Sequence, residues 1–160
     1  MNAVLKAGIG LAVIVEIITV IGIASGMLLA NRLVAEIVLL VIFFWLTGVA
    51  IFWGLGQTAA ESGYGKQLFN ALLIGLVAAV LIFAFSMLNL AVLFPDYLAE
   101  SKTASIEVME NMSMPEPTLK AKVAMIEAQT VAGQARSGAI GTIVRSLFLG
   151  AIIAIFKRRK

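Results

Sequence analysis

The chain has 160 residues, 61% hydrophobic and 13% charged, with a mean hydropathy of +1.04. A soluble chain carries about 45–50% apolar and about 25% charged residues, so this composition excludes a globule solvated on every side and points to the lipid bilayer. Cys and His are both absent, which removes disulfides, thiolate and imidazole metal sites, and catalysis centred on either residue. The formal charge of +3 includes Lys157-Arg158-Arg159-Lys160. That terminal cluster reads as a topology signal rather than as a nucleic-acid footprint.

Residues 4–29 are apolar apart from Lys6, Glu16 and a few small polar side chains, long enough to cross a ~30 Å hydrocarbon core with some tilt. A signal peptide is the competing reading. The run is longer than an h-region, holds Glu16, and lacks a small-x-small cleavage site. Asn31 and Arg32 form a tight turn, and residues 33–55 make span two. The polar stretch from Gln57 to Gln67 reads as a loop, with Asn70 near the start of the next span. Span three covers residues 68–94 and is closed by Pro95, with Asp96 placed to cap the helix after it.

Residues 95–138 form the one sizeable polar segment. A first helix is expected from Asp96 to about Met112, and Pro115-Glu116-Pro117 should break it from a second. Leu119, Val123, Ile126 and Thr130 recur at helical spacing in that second helix, with Pro117 in its first turn and Gly133 at its end. The expectation is an amphipathic helical hairpin on the membrane surface or over the bundle. Span four, residues 139–156, is the shortest and stops at the basic tail. The fold class is therefore all-α, with four transmembrane helices and this hairpin between spans three and four, all within one membrane domain over residues 1–160.

Orientation follows from the basic residues. The terminal cluster belongs in the cytoplasm by the positive-inside rule, which places both termini inside. The hairpin, with six acidic and four basic residues, then falls outside. Tyr64 and Tyr97 suit interfacial belts.

Charges within spans point to function, since each costs roughly 2.5–3.5 kcal/mol at a helix centre. Glu16, Glu36 and Arg145 qualify. At ~1.5 Å per residue, Glu16 and Arg145 lie about 15 and about 16 Å from the cytoplasmic face, and Glu36 about 5 Å below the outer one. Glu16–Arg145 is thus the preferred pair and Glu36 the second candidate. Such a pair can simply fix how spans dock; Glu16 or Glu36 can instead hold a proton or cation; or Glu36 and Arg145 can snorkel. A dry, paired Glu16 favours the first reading and a water-accessible carboxylate the second. Gly22 and Gly26 form a GxxxG step, and Thr142, Ser146, Gly150 and Ala154 recur every four residues, both patterns suited to close helix packing. Ser86 and Asn89 share a face of span three and either bond across the bundle or line a wet cavity. Met109, Met112 and Met114 are soft ligands able to take Cu(I), against the blander reading of apolar contacts. No nucleophile–base pair stands out, and no cofactor is implied.

From Tyr64 onward the chain resembles a family of small bacterial four-span membrane proteins known only as a domain of unknown function. The likeness rests on Tyr64 ahead of Leu68-Phe69, Gly75 in span three, Phe94-Pro95-Asp96-Tyr97, and a loop containing Glu and Met. It continues through Gly141-Thr142-Ile143, Ser146-Leu147, Gly150-Ala151-Ile152, Ala154 and Phe156-Lys157-Arg158. The resemblance implies a bacterial inner-membrane protein and no particular activity. The function expected first from the sequence is a non-catalytic accessory, packing or partner-binding protein; the alternative is a small transporter or ion conduit using Glu16, Glu36 and Arg145, which at four spans requires a homo-oligomer.

Overall fold

A computed structural model describes residues 2–112 and 114–157, with the side chain of Glu61 left aside. The terminal residues 158–160 of the basic cluster lie outside this range. All regular secondary structure among the described residues is helical. The elements are α1 (Ala3–Ala24), α2 (Met27–Ala30), α3 (Arg32–Gly56), α4 (Tyr64–Leu88), α5 (Tyr97–Glu110), α6 (Glu116–Glu127) and α7 (Val131–Phe156). Four of them, α1, α3, α7 and α4 with its extension to Leu93, are long and apolar enough to cross a membrane.

Three boundaries differ from the hydropathy reading. The first span ends at Ala24, not residue 29, because Gly26 turns the chain with φ +71°, a conformation costly for any residue with a Cβ. Gly26 is therefore a turn residue, with nothing within 4 Å of where its Cβ would stand. Gly22 faces the Leu28 side chain rather than another spanning helix, so the GxxxG step is not a helix–helix seam. The last span begins at Val131, two turns ahead of residue 139. Thr130 caps it by accepting the Gly133 N–H at 3.0 Å, so Thr130 and Gly133 start α7 instead of ending α6. The polar side chains Gln134, Arg136 and Ser137 hid those turns from hydropathy. Gln67 belongs to α4, not to a loop. Asp96 precedes α5 without a side-chain cap bond.

Helix α4 sits at the centre, packed on α7, α1 and α3. Its seam with α7 is made of small residues. A Cβ at Gly75 would lie 2.5 Å from the Ser146 Cβ, and one at Gly150 would collide with the Ala71 Cβ. Thr142, Ser146, Gly150 and Ala154 are all buried. Backbone proximity of this kind drives helix association in lipid, where apolar burial gives little between helices. Helices α1 and α4 run parallel, with Gly8 against Val77 and Glu16 against Ser86, while α7 runs antiparallel to α4.

The core has layers along the bundle axis. Ala7, Ile51, Leu55, Ala71, Ile74 and Ala154 form the layer near the N-terminal end of α1. Leu11, Ala12, Val15, Ala78 and Ile82 form the middle one. At the first end Gln67 is fully buried; its amide donates to the carbonyls of Leu55 (3.2 Å) and Lys157 (2.8 Å) and accepts from the Thr58 hydroxyl (3.0 Å). This one side chain ties the ends of α3 and α7 to α4 by satisfying carbonyls left over at helix C-termini. The Lys157 ammonium lies 3.6 Å above the Phe52 ring. Helices α5 and α6 pack on each other, and the Lys102 ammonium donates to the Glu127 carbonyl at 2.8 Å.

A candidate site: a cavity with charged groups between the four spanning helices

A third apolar cluster, of Ile23, Leu28, Leu90 and Tyr97, lies toward the opposite end, and between it and the middle layer is a cavity of about 240 Å³, lined largely by apolar side chains with charged and polar groups set among them. The spanning helices supply Glu16 and Thr19 from α1, Arg32 and Glu36 from α3, Ser86 and Asn89 from α4, and Gln134, Thr142 and Arg145 from α7. Tyr97, the first residue of α5, closes one side. It is buried, and its hydroxyl accepts from the Arg32 guanidinium at 3.2 Å. The α5–α6 pair is thereby anchored to the first turn of α3. Among the cavity's lining residues the exposed ones are Glu36 and Gly138, which mark its mouth between α3 and α7.

Glu16 is 7% exposed. Ser86 Oγ donates to its Oε1 at 3.1 Å and Asn89 Nδ2 to its Oε2 at 2.8 Å. Both donors lie on one face of α4 because they are three residues apart. At Asn89 the helix widens into a π turn over Asn89–Leu93, closed by the Phe94 N–H donating to the Asn89 carbonyl at 2.7 Å. Pro95 then ends the helix, having no N–H to continue it. Such π turns recur at functional sites.

Glu16 does not pair with Arg145. Among the described residues, no cation lies within 4.0 Å of the Glu16 carboxylate. The cause is helix register. Gly8 against Val77 sets Glu16, eight residues on, level with Phe85; Ser146 against Gly75 sets Arg145 level with Leu76. Nine residues separate those levels, roughly 13 Å at ~1.5 Å each. An arginine side chain leans toward the N-terminus of its helix, which closes part of this gap but not all of it. Counting depth from the helix ends failed because the spans do not start in one plane.

The Arg145 guanidinium instead lies over Gly141, one turn back, where a Cβ would come within 3.6 Å of it, and it donates to Thr142 Oγ1 at 3.1 Å. Its Nε is buried without an acceptor, as is Gln134 Oε1 without a donor. A buried polar atom left unmatched costs about 1–3 kcal/mol, and more when charged. Glu36 pairs within its own helix: Arg32 Nε stands 2.8 Å from Glu36 Oε1, an ion pair whose N–H is not aligned for a hydrogen bond. The structure thus gathers Glu16, Glu36, Arg145, Ser86, Asn89 and Thr142 around one space. It leaves Ser146, Gly150 and Ala154 in the α4–α7 seam. Met109 lies in the last turn of α5, and Met112 and Met114 follow it, half-buried. They take no part in the cavity.

An all-helical chain with four spanning helices around a charged cavity defines the class: a multi-pass membrane protein. Residues 6–159 match the model of the family described as "Protein of unknown function (DUF4199)", and the chain belongs to that family. The match includes Glu16 as well as the C-terminal motifs. Comparison with curated proteins and with solved structures gives no match.

Proposed function

We propose that this protein is a small, non-enzymatic transporter or conduit of the bacterial inner membrane, with Glu16 as its working residue. One observation carries the reading. A carboxylate deep in a helical bundle is held by two neutral donors, Ser86 and Asn89, and faces a cavity instead of a counter-charge. A side chain serving only to dock helices has no use for that arrangement, because an unmatched intramembrane charge is costly. A site that must accept and release a proton or a solute requires it. Lys6, Lys66 and the basic cluster that follows α7 outnumber Arg32, Lys102, Lys120, Lys122 and Arg136 by six to five, a narrow margin in favour of cytoplasmic termini and an outward-facing α5–α6 hairpin. Four spans form too small a wall for alternating access in one copy, so the working unit is a homo-oligomer.

The accessory or partner-binding reading has its own support. Only 11% of the most apolar window of α3 is buried within the chain, which leaves that helix a broad face for a partner or a second copy. The two readings separate in liposomes. Purified native chain should carry a proton or cation flux that Glu16→Gln abolishes while leaving the fold intact. Absence of flux in the native chain contradicts the transport reading and favours the accessory one.

A further inference from the structure

The cavity has two charged poles at different levels of the bundle. Four charged groups line it: Glu16, Arg32, Glu36 and Arg145. The Arg32–Glu36 ion pair balances itself. What remains is one carboxylate and one guanidinium, opposite in sign, on different helices, and kept apart by the register set at Gly8 and Gly75. Among the described residues neither has an oppositely charged partner. Glu16 accepts only from neutral groups, and Arg145 donates to the Thr142 hydroxyl with no carboxylate within 4.0 Å among the described residues. A molecule carrying an ammonium and a carboxylate satisfies both together.

We propose that the cavity binds a small zwitterion, its ammonium at Glu16 with Ser86 and Asn89, and its carboxylate at Arg145, whose guanidinium is positioned by the Thr142 hydroxyl, itself donating to the Gly138 carbonyl. Because the poles stand at different levels of the bundle, the two ligand charges must be several bonds apart. An ω-amino acid fits this requirement and an α-amino acid does not. Glu36 and Gly138 at the mouth put the route to the site between α3 and α7. This assignment deepens the transport reading and rests on it.

The test uses full-length protein in lipid nanodiscs and equilibrium binding of radiolabelled glycine, β-alanine, γ-aminobutyrate and ε-aminocaproate. Propylamine and butyrate serve as competitors with a single charge each. The longer zwitterions should bind saturably and glycine least. Propylamine and butyrate should each compete at least about tenfold less well, as expected when one charged hydrogen-bonded contact is lost. Glu16→Gln and Arg145→Lys should both weaken γ-aminobutyrate binding, the second by misplacing the guanidinium fork. The ligand series on the native chain decides the matter even if a variant fails to fold. Propylamine competing as well as the zwitterions, or no zwitterion binding while Glu16-dependent cation flux persists, overturns the two-pole site and leaves the transport reading standing. Neither binding nor flux overturns both.

Discussion

Replacing Gly75 by Ala tests the α4–α7 seam, on which the position of the cavity depends. Two effects oppose each other. Alanine is favoured over glycine in a helix by about 0.8–1.0 kcal/mol. The new methyl at Gly75 would lie 2.5 Å from the Ser146 Cβ and 2.7 Å from its Oγ. The first clash is with a Cβ fixed to the backbone, not with the tip of a flexible chain, so relief requires the helices to part along their whole contact. Overpacking of this kind costs about 1–3 kcal/mol. The net expectation is a loss of up to about 2 kcal/mol. Gly10→Ala is the control, since nothing lies within 4 Å of that Cβ position; it should gain about 0.8–1.0 kcal/mol. Adding Ser146→Gly to Gly75→Ala removes the clashing Cβ and the unpaired hydroxyl, and should recover most of the loss. Reversible unfolding from mixed micelles, followed by circular dichroism, reads all four proteins. Stabilisation by Gly75→Ala equal to that by Gly10→Ala refutes the close seam.

Gly26→Ala should cost about 1–2 kcal/mol in the same assay, because φ +71° is strained for a residue with a Cβ; a stability gain contradicts the turn. Gln67→Leu removes the buried amide between α3, α4 and α7, and at about 0.5–1.5 kcal/mol for each of its three hydrogen bonds it should cost about 1.5–4.5 kcal/mol. An unchanged midpoint argues against that clamp. Tyr97→Phe loses the bond to Arg32 and should speed proteolysis within α5 and α6 without altering the spanning helices; equal cleavage rates count against the anchor. The native chain has no Cys, so a single cysteine at Ser113, outside the described residues, reports topology. Labelling solely from the cytoplasmic side contradicts an outward hairpin.

Hydropathy makes the four spans legible because lipid solvation acts on every residue of a crossing helix. It fails at the helix ends, where one glycine in the left-handed region or one capping threonine decides the boundary. Residues 131–138 illustrate this: Gln134 and Arg136 make the stretch read as loop, yet Thr130 starts a helix there. Ser86 and Asn89 were readable as a pair from their spacing. Their partner was not, since register between helices is set by tertiary contacts at Gly8 and Gly75 that no single-chain depth count contains. The same omission produced the Glu16–Arg145 pairing. Arg32 and Glu36 stand four apart, the spacing of an ion pair along a helix, a signal hidden by assigning Arg32 to a turn. Gln67 carried a signal too, lying at helical spacing with Ala71, Ile74 and Ala78 on the buried face of α4.

Water access to the Glu16 cavity is the central claim, and thiol chemistry on α4 tests it directly. Ser86 lines the cavity, whereas Leu88, two residues away at nearly the same depth, faces outward and is 49% exposed. Single cysteines at these positions, in protein reconstituted into lipid, are challenged with a charged, membrane-impermeant thiol reagent. The cysteine at Ser86 should react and the one at Leu88 should stay unmodified behind lipid. A silent cysteine at Ser86, or equal reaction at both positions, contradicts a water-filled cavity and with it the role given to Glu16.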